Sequence, residues 1–311
     1  MELIRGWHNL RAHHHGCVAT IGNFDGVHRG HRAVLARLQQ EAQRDGLPST
    51  VIIFEPQPLE YFRPEAAPPR LTELRSKLQA LAEAGVEQVL CLQFGHKLAQ
   101  MPAEVFVDEL LVDRLGVRFL MVGDDFRFGH ARCGDYAMLQ AAGARHGFTV
   151  ARMPTVLEGG QRVSSTRVRQ ALAEGDLALA AQLLGRRYSI CGRVVRGQAL
   201  GRKLGYPTAN IAFHRPPPPL DGIFVIGVRL DGVGQSRPGV ASLGTRPTVN
   251  GTRTLLEVHL FDYSGDLYGR QLEVEFLQRL RGEERFDSLD ALRVQMDQDA
   301  AAARAYFSAR S

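Results

Sequence analysis

Thr20-Ile21-Gly22-Asn23-Phe24-Asp25-Gly26-Val27-His28-Arg29-Gly30-His31 decides the reading of the first half of this chain. An apolar run from Cys17 to Ile21 precedes the turn, and an amphipathic run follows it, with Val34, Leu35, Leu38 and Ala42 on one face. The order is therefore strand, glycine-rich turn, helix. His28 and His31 stand three residues apart at the helix start and so share a face. Unsatisfied backbone N–H groups and the positive end of the helix dipole point the same way. Glycines permit close approach and imidazoles add donors where negative charge gathers, an arrangement suited to a triphosphate.

The alternation continues outward from this turn. Strands are predicted at 18–21, 50–54, 88–94, 118–122 and 148–153, with helices at 31–44, 72–84, 102–115 and 135–146 between them. Apolar strands alternating with helices form a parallel sheet covered on both faces. Ligands on such sheets bind beyond the carboxyl ends of the strands, where the His28–His31 turn lies. A single helix is predicted from about Ser165 to Leu184, ended by Gly185. The pattern then changes to short β-rich runs at 189–195, 209–213, 223–230, 239–243, 255–261 and 271–277. Glu257 and Glu273 alternate with apolar neighbours, which places one face of each strand in a core. About six closely spaced strands predict a small antiparallel barrel. Pro216 to Pro219 is a stiff connector inside that half. A last helix starts at Ser288 and carries Leu289, Leu292, Met296, Ala300, Ala303 and Phe307 on one side, to pack on the barrel.

Composition sets the bounds. A chain of 311 residues, 44% hydrophobic, holds about two domains, divided here as 1–184 and 185–311. It shows no membrane-length apolar run and no signal-peptide core near Met1, so a cytoplasmic protein is expected. Cys17, Cys91, Cys133 and Cys191 are widely spaced, which predicts reduced, buried thiols rather than disulfides or a zinc site. The net charge of +5 is spread along the chain, and arginine outnumbers lysine. His13-His14-His15 cannot all face one ion and is expected to be a solvated loop.

Three further segments carry chemistry. Gly123-Asp124-Asp125-Phe126-Arg127-Phe128-Gly129 follows a predicted strand and interleaves charges with aromatics. Val163-Ser164-Ser165-Thr166-Arg167-Val168-Arg169 places hydroxyls and arginines at a helix start, where they can meet phosphate or cap the helix. Gly192 to Asn210 is a basic glycine-rich loop without the G-K-[ST] of a P-loop; it ends in Pro207-Thr208-Ala209-Asn210, whose hydroxyl and amide carbonyl are hard oxygen ligands for Mg²⁺. Pro247-Thr248-Val249-Asn250 repeats that spelling, so spacing alone does not choose between them. The basic loop precedes only the first, which favours Thr208 and Asn210 as the metal ligands. No G-x-G-x-x-G is present, so an NAD enzyme is not indicated.

The H-x-G-H turn, Phe54-Glu55-Pro56-Gln57-Pro58, the Gly123 and Ser164 segments and the Thr208 loop occur in the order seen in the bacterial bifunctional riboflavin kinase/FMN adenylyltransferases, the FAD synthetases. The chain resembles that family over nearly its whole length, apart from an unusually proline-rich stretch from Arg215 to Pro219. The resemblance implies a Rossmann-like nucleotidylyltransferase domain followed by a six-stranded flavokinase barrel. It implies ATP contacts in the first half at Gly22, Phe24, Asp25, His28, His31, Asp125, Arg127, Ser164, Ser165, Thr166 and Arg169, and flavin contacts at Asn23, Phe54, Pro56, Phe62 and Phe128. In the second half it implies ATP contacts at Gly192, Gly197, Gly201, Lys203, Gly205, Thr208 and Asn210, with Thr208 and Asn210 on Mg²⁺ and Glu257 as the base that takes the riboflavin hydroxyl proton. His28 and His31 are the catalytic groups of the first half. The expected substrates and products are riboflavin, FMN, FAD and ATP, with no nucleic acid, membrane or obligatory protein partner. Two alternatives remain: that one activity alone survives, or that the basic barrel binds nucleic acid, although it lacks the aromatic pattern for base stacking.

Overall fold

In the computed structural model, residues 1–197, 201, 204–213, 217–248 and 251–310 are described. The chain divides into two compact units, one of Met1–Pro68 with Leu74–Val163, the other of Pro69–Glu73 with Ser164–Ser311.

The first unit is built on six parallel strands: β1 (Glu2–Arg5), β2 (Cys17–Ile21), β3 (Ser49–Glu55), β4 (Gln88–Gln93), β5 (Val117–Val122) and β6 (Thr149–Arg152), in the order β1-β4-β3-β2-β5-β6. Alternate residues feed two cores. Val18, Val51, Ile53, Val89 and Met121 pack under the helices Arg29–Asp45 and Leu74–Glu83. Ala19, Ile21, Ile52, Leu90 and Leu120 pack on the opposite face against Phe106, Leu110 and Leu139. Five strands match expectation. β1 was not expected: only Ile4 of its four residues is buried, and pairing with β4, from Glu2↔Gln88 to Arg5↔Cys91, carries it. The expected helix at 102–115 forms, but Phe106–Arg114 runs in π register, Leu115 donating to the Leu110 carbonyl at 3.0 Å.

The histidine tract is not a solvated loop throughout. His14 is 2% exposed, accepts the Arg11 N–H on Nδ1 at 2.8 Å and meets Glu2 with Nε2 at 2.9 Å. His13 also approaches Glu2, giving a three-ligand grouping. With Nδ1 accepting from the backbone, Nε2 carries the ring proton and donates it to Glu2, so it presents no lone pair to a metal. His14 thus fastens β1. Burial of the thiols holds for Cys17 and Cys91, whereas Cys133 is exposed and Cys191 partly so.

A short hairpin of β7 (Leu157–Glu158) and β8 (Gln161–Arg162) ends the first unit. The single helix expected at 165–184 is two, Ser165–Ala173 and Leu177–Leu184. Gly175 takes a φ of 77°, and Asp176 caps the second helix through the Leu179 N–H at 2.8 Å.

The second unit is a closed barrel of β9 (Ser189–Val195), β10 (Ala209–Ala212), β11 (Gly222–Leu230), β12 (Val233–Thr248), β13 (Gly251–Leu260) and β14 (Gln271–Arg281), in the order β10-β13-β12-β11-β14-β9. β12 is far longer than the run 239–243 expected, because it pairs first with β11 and then with β13 as the barrel staggers. Its Pro238 and Pro247 conceal that from local propensity. The terminal helix Leu289–Ser308 begins as expected, Ser288 accepting the Ala291 N–H at 3.1 Å. Ala300 and Ala303 bury against Val225 and Phe261. Leu289, expected on the packed side, is 58% exposed in the first turn.

Candidate functional sites

In the order β1-β4-β3-β2-β5-β6 the chain runs one way from β2 to β4 and then crosses to β5 on the other side of β2. The crevice between the carboxyl ends of β2 and β5 is therefore the topological switch point. The turns after those strands are Gly22–His28 and Gly123–Gly129. Phe24, Gly26 and Val27 all take positive φ, of 46°, 83° and 41°. A β-branched residue in that region is strained, and Val27 is held there fully buried beside Phe24 and Asp25, each 2% exposed.

His28 caps the helix Arg29–Asp45, its Nδ1 accepting the His31 N–H at 3.2 Å, which leaves the neutral-ring proton on Nε2. The two imidazoles stack with centroids 3.7 Å apart and planes 14° apart. A Cβ on Gly30 would come within 3.1 Å of the His28 ring and 3.2 Å of the Val163 carbonyl, so a side chain there would crowd the stacked pair. Burial, and then the neighbouring His28, Lys77 and Arg162, hold the His31 pKa well below its ordinary value. His31 is therefore neutral at pH 7, and its buried Nδ1 has no hydrogen-bond partner among the described residues. The unfolded chain binds a proton near pH 6.5 and the folded one does not, so stability from this group is full above pH 6.5 and declines as pH falls below it. An NMR titration should show the His31 ring unprotonated at pH 7 with its midpoint displaced well to the acid side of an ordinary imidazole; a midpoint near 6.5 would contradict this environment.

The remaining residues expected in the first half are placed as follows. Gly22 leads into the turn and Asn23 is exposed. Phe54 on β3 meets Phe94 at 5.8 Å, and Phe94 meets Tyr61 at 5.6 Å and the 58% exposed Phe62 at 5.5 Å, forming an aromatic group beyond β3 and β4 next to Pro56. Asp125 and Arg127 are exposed, whereas Phe128 is 7% exposed and packs on Phe106 and Phe126 in the core. Ser164, Ser165, Thr166 and Arg169 belong to the second unit. There Ser164 accepts the Arg167 N–H at 3.3 Å, and Arg169 Nε donates to the Pro69 carbonyl at 2.6 Å. Lys77 was missed. It is fully buried, and its position three residues after Leu74 and four before Leu81 marks it as a cation on an apolar stripe.

The second unit carries a cavity of about 640 Å³ on the outer face of the barrel. Leu256, Val258 and Leu260 of β13 point into the barrel core, so Leu255, Glu257 and His259 face the cavity. Register places Asn210 of β10 and Ser242 of β12 on either side of Glu257, a polar row across three strands. Thr208 lines the same cavity one residue before the β10 ladder. A Cβ on Gly197 would lie 2.3 Å from Asn210 Nδ2, and one on Gly201 would lie 2.3 Å from the Tyr206 carbonyl, so Gly197 packs directly on this row and Gly201 on the segment leading into it. Gly205 turns with a φ of 89°. Gly192 backs onto Ile211 within the barrel, away from the lining. Lys203 and Asn250 lie outside the described residues. Thr248 ends β12 opposite Gly251, six residues beyond Ser242, or about 20 Å along the strand.

The opposite wall comes from Arg281, Glu283, Glu284, Phe286, Leu292, Met296 and Asp299. Arg281 and Asp299 form a bidentate pair at 3.0 and 2.7 Å, and Gln295 adds a bond to Asp299 at 3.1 Å. Sequence reasoning missed Ser242, Tyr206, His259, Arg281 and Asp299 as parts of this site. Alternation around Glu257 signals His259, two positions on; Ser242 and Arg281 depend on barrel register, and Tyr206 and Asp299 on the packing of a loop and the terminal helix, none of which leaves a local mark.

Comparison with known proteins joins the two sites. A family model described as FAD synthetase matches residues 10–167, and one described as Riboflavin kinase matches residues 184–307. The bifunctional riboflavin kinase/FMN adenylyltransferase of Pseudomonas fluorescens is 56% identical over 98% of this chain and 97% of its own. The Escherichia coli K12 protein of that name is 53% identical over 99% and 98%. A crystal structure described as a macrolide-efflux protein from Streptococcus pneumoniae superposes with a TM-score of 0.81 at 29% identity, over 98% of this chain and 99% of that one. Among the described residues, no helix is long and apolar enough to cross a membrane. With both family models in sequence on one chain, and relatives matched end to end, the chain belongs to the bifunctional riboflavin kinase/FMN adenylyltransferase family.

Proposed function

We propose that the two reactions of this family are performed at two separate sites, adenylyl transfer around His28 and His31 and phosphoryl transfer in the barrel cavity, with the functional division falling at 1–184 and 185–311. The observation that carries this reading is the row Asn210–Glu257–Ser242, with Thr208, Gly197 and Gly201 on the same cavity.

In the kinase reaction the riboflavin 5′-hydroxyl attacks the γ-phosphorus of ATP and ADP leaves. Glu257 takes the hydroxyl proton as the O–P bond forms. The backbone of Gly197 and Gly201 cradles the phosphates, because neither carries a side chain in the way. Thr208 and Asn210 offer hard oxygens on one cavity wall and would hold Mg²⁺, which neutralises phosphate charge when bound. In the adenylylation an FMN phosphate oxygen attacks the α-phosphorus of a second ATP and pyrophosphate leaves. Neutral His28 and His31 donate to the phosphates from the N-terminus of the helix Arg29–Asp45. The aromatic group of exposed Tyr61 and Phe62 on half-buried Phe94 offers rings for the flavin.

Thr208→Ala and Thr248→Ala test the metal and phosphate assignment. Thr208→Ala should lower FMN formation and raise the Mg²⁺ needed for half-maximal rate, while Thr248→Ala stays near the parent. Loss with Thr248→Ala alone would move the ligand set from the start of β10 to the end of β12.

A further inference from the structure

The Pro207–Thr208 peptide is awkward to hold. Pro207 has no N–H, so its carbonyl is its sole backbone handle. Thr208 precedes Ala209, the first residue of β10 paired to β13, so the ladder does not fix it. Yet the plane of this peptide sets the direction in which Thr208 leaves the chain.

One side chain takes hold of that carbonyl. His259 lies on β13 two residues from Glu257 and faces the same cavity. Its Nδ1 is 2.9 Å from the Pro207 carbonyl oxygen. A carbonyl only accepts, so Nδ1 carries a proton and donates it. The ring is buttressed edge-on by Tyr206 at 5.1 Å and by Phe261 at 5.8 Å. The Tyr206 hydroxyl in turn bonds Asp297 on the terminal helix. Residue 206 is thereby tied to the helix and residue 207 to β13.

We propose that His259 is a positioning residue of the kinase: by donating Nδ1–H to the Pro207 carbonyl it orients the Pro207–Thr208 peptide and holds Thr208 in line with Asn210 and Glu257. This rests on the assignment of Thr208 and Asn210 to the phosphate and metal site.

Three substitutions test it, assayed beside Thr208→Ala. An Asn amide N–H occupies the place of Nδ1–H, whereas a Gln amide reaches the place of Nε2. His259→Ala and His259→Gln should lower the kinase kcat roughly ten- to a hundredfold, as expected for misplacing reacting groups by about 1 Å, and should raise the Mg²⁺ half-saturation. His259→Asn should recover most of both. FMN conversion to FAD and the thermal midpoint of the Asn and Gln variants should stay close to the parent. Equal activity of the Asn and Gln variants would overturn the proposal, as would an Ala variant that folds and retains the parent kcat. If Thr208→Ala is inactive while the His259 variants are unaffected, the positioning role alone fails. If Thr208→Ala retains full kinase activity, the underlying assignment fails and takes the proposal with it.

Discussion

Glu257→Gln is expected to lower riboflavin phosphorylation by about 10²–10⁴-fold, the usual worth of a positioned general base. Added FMN should still be converted to FAD at the parent rate. The amide is nearly isosteric and cannot accept the hydroxyl proton. It can keep the backbone register, because Glu257 is paired by its main chain to Asn210 and Ser242 and its neighbours Leu256 and Val258 are buried. The barrel should therefore fold unchanged, which separates lost proton transfer from lost structure. Separate assays of FMN from riboflavin and FAD from added FMN check this; equal loss in both would point to unfolding, and no loss would remove Glu257 from the chemistry.

His28→Ala is expected to do the reverse, lowering FAD formation by about 10²–10³-fold, as for one preorganised charge-stabilising donor. FMN formation should be close to the parent. His28 also caps the helix Arg29–Asp45 through Nδ1, so its loss costs about 1 kcal/mol of helix stability as well. His28→Asn separates the two contributions. The Asn side chain restores a cap acceptor but puts no donor at the Nε2 position, so it should recover thermal stability and leave FAD formation low. Recovery of activity with the cap would make His28 a structural residue.

Much of this architecture was legible because its signals are local. The apolar run into Gly22 and the spacing of His28 and His31 encode a strand, a turn and a helix start within twelve residues, and the structure places them at the switch point. The Ser288 cap located the terminal helix for the same reason. Features set by distant pairing were not legible. β12 is strand where Pro238, Gly239 and Pro247 argue against strand, because β11 and β13 supply its partners. β1 exists because β4 offers an edge. The break at Gly175-Asp176 was local and readable, yet the apolar residues on both sides masked it. In the sites the motif residues were visible, and Lys77 and His259 carried weak local signals in helix spacing and strand alternation, while Ser242 acquires meaning only once strand register sets it beside Glu257.

The central claim is that two independent sites on one chain act in sequence. The most direct measurement mixes purified Glu257→Gln and His28→Ala chains with riboflavin, ATP and Mg²⁺ and resolves the flavins by chromatography over time. Alone, Glu257→Gln should leave riboflavin unchanged, and His28→Ala should stop at FMN. Together they should yield FAD after a lag, as FMN from one chain reaches the intact site of the other. FAD production by either chain alone at the parent rate, or none from the mixture despite FMN accumulating, would contradict the account.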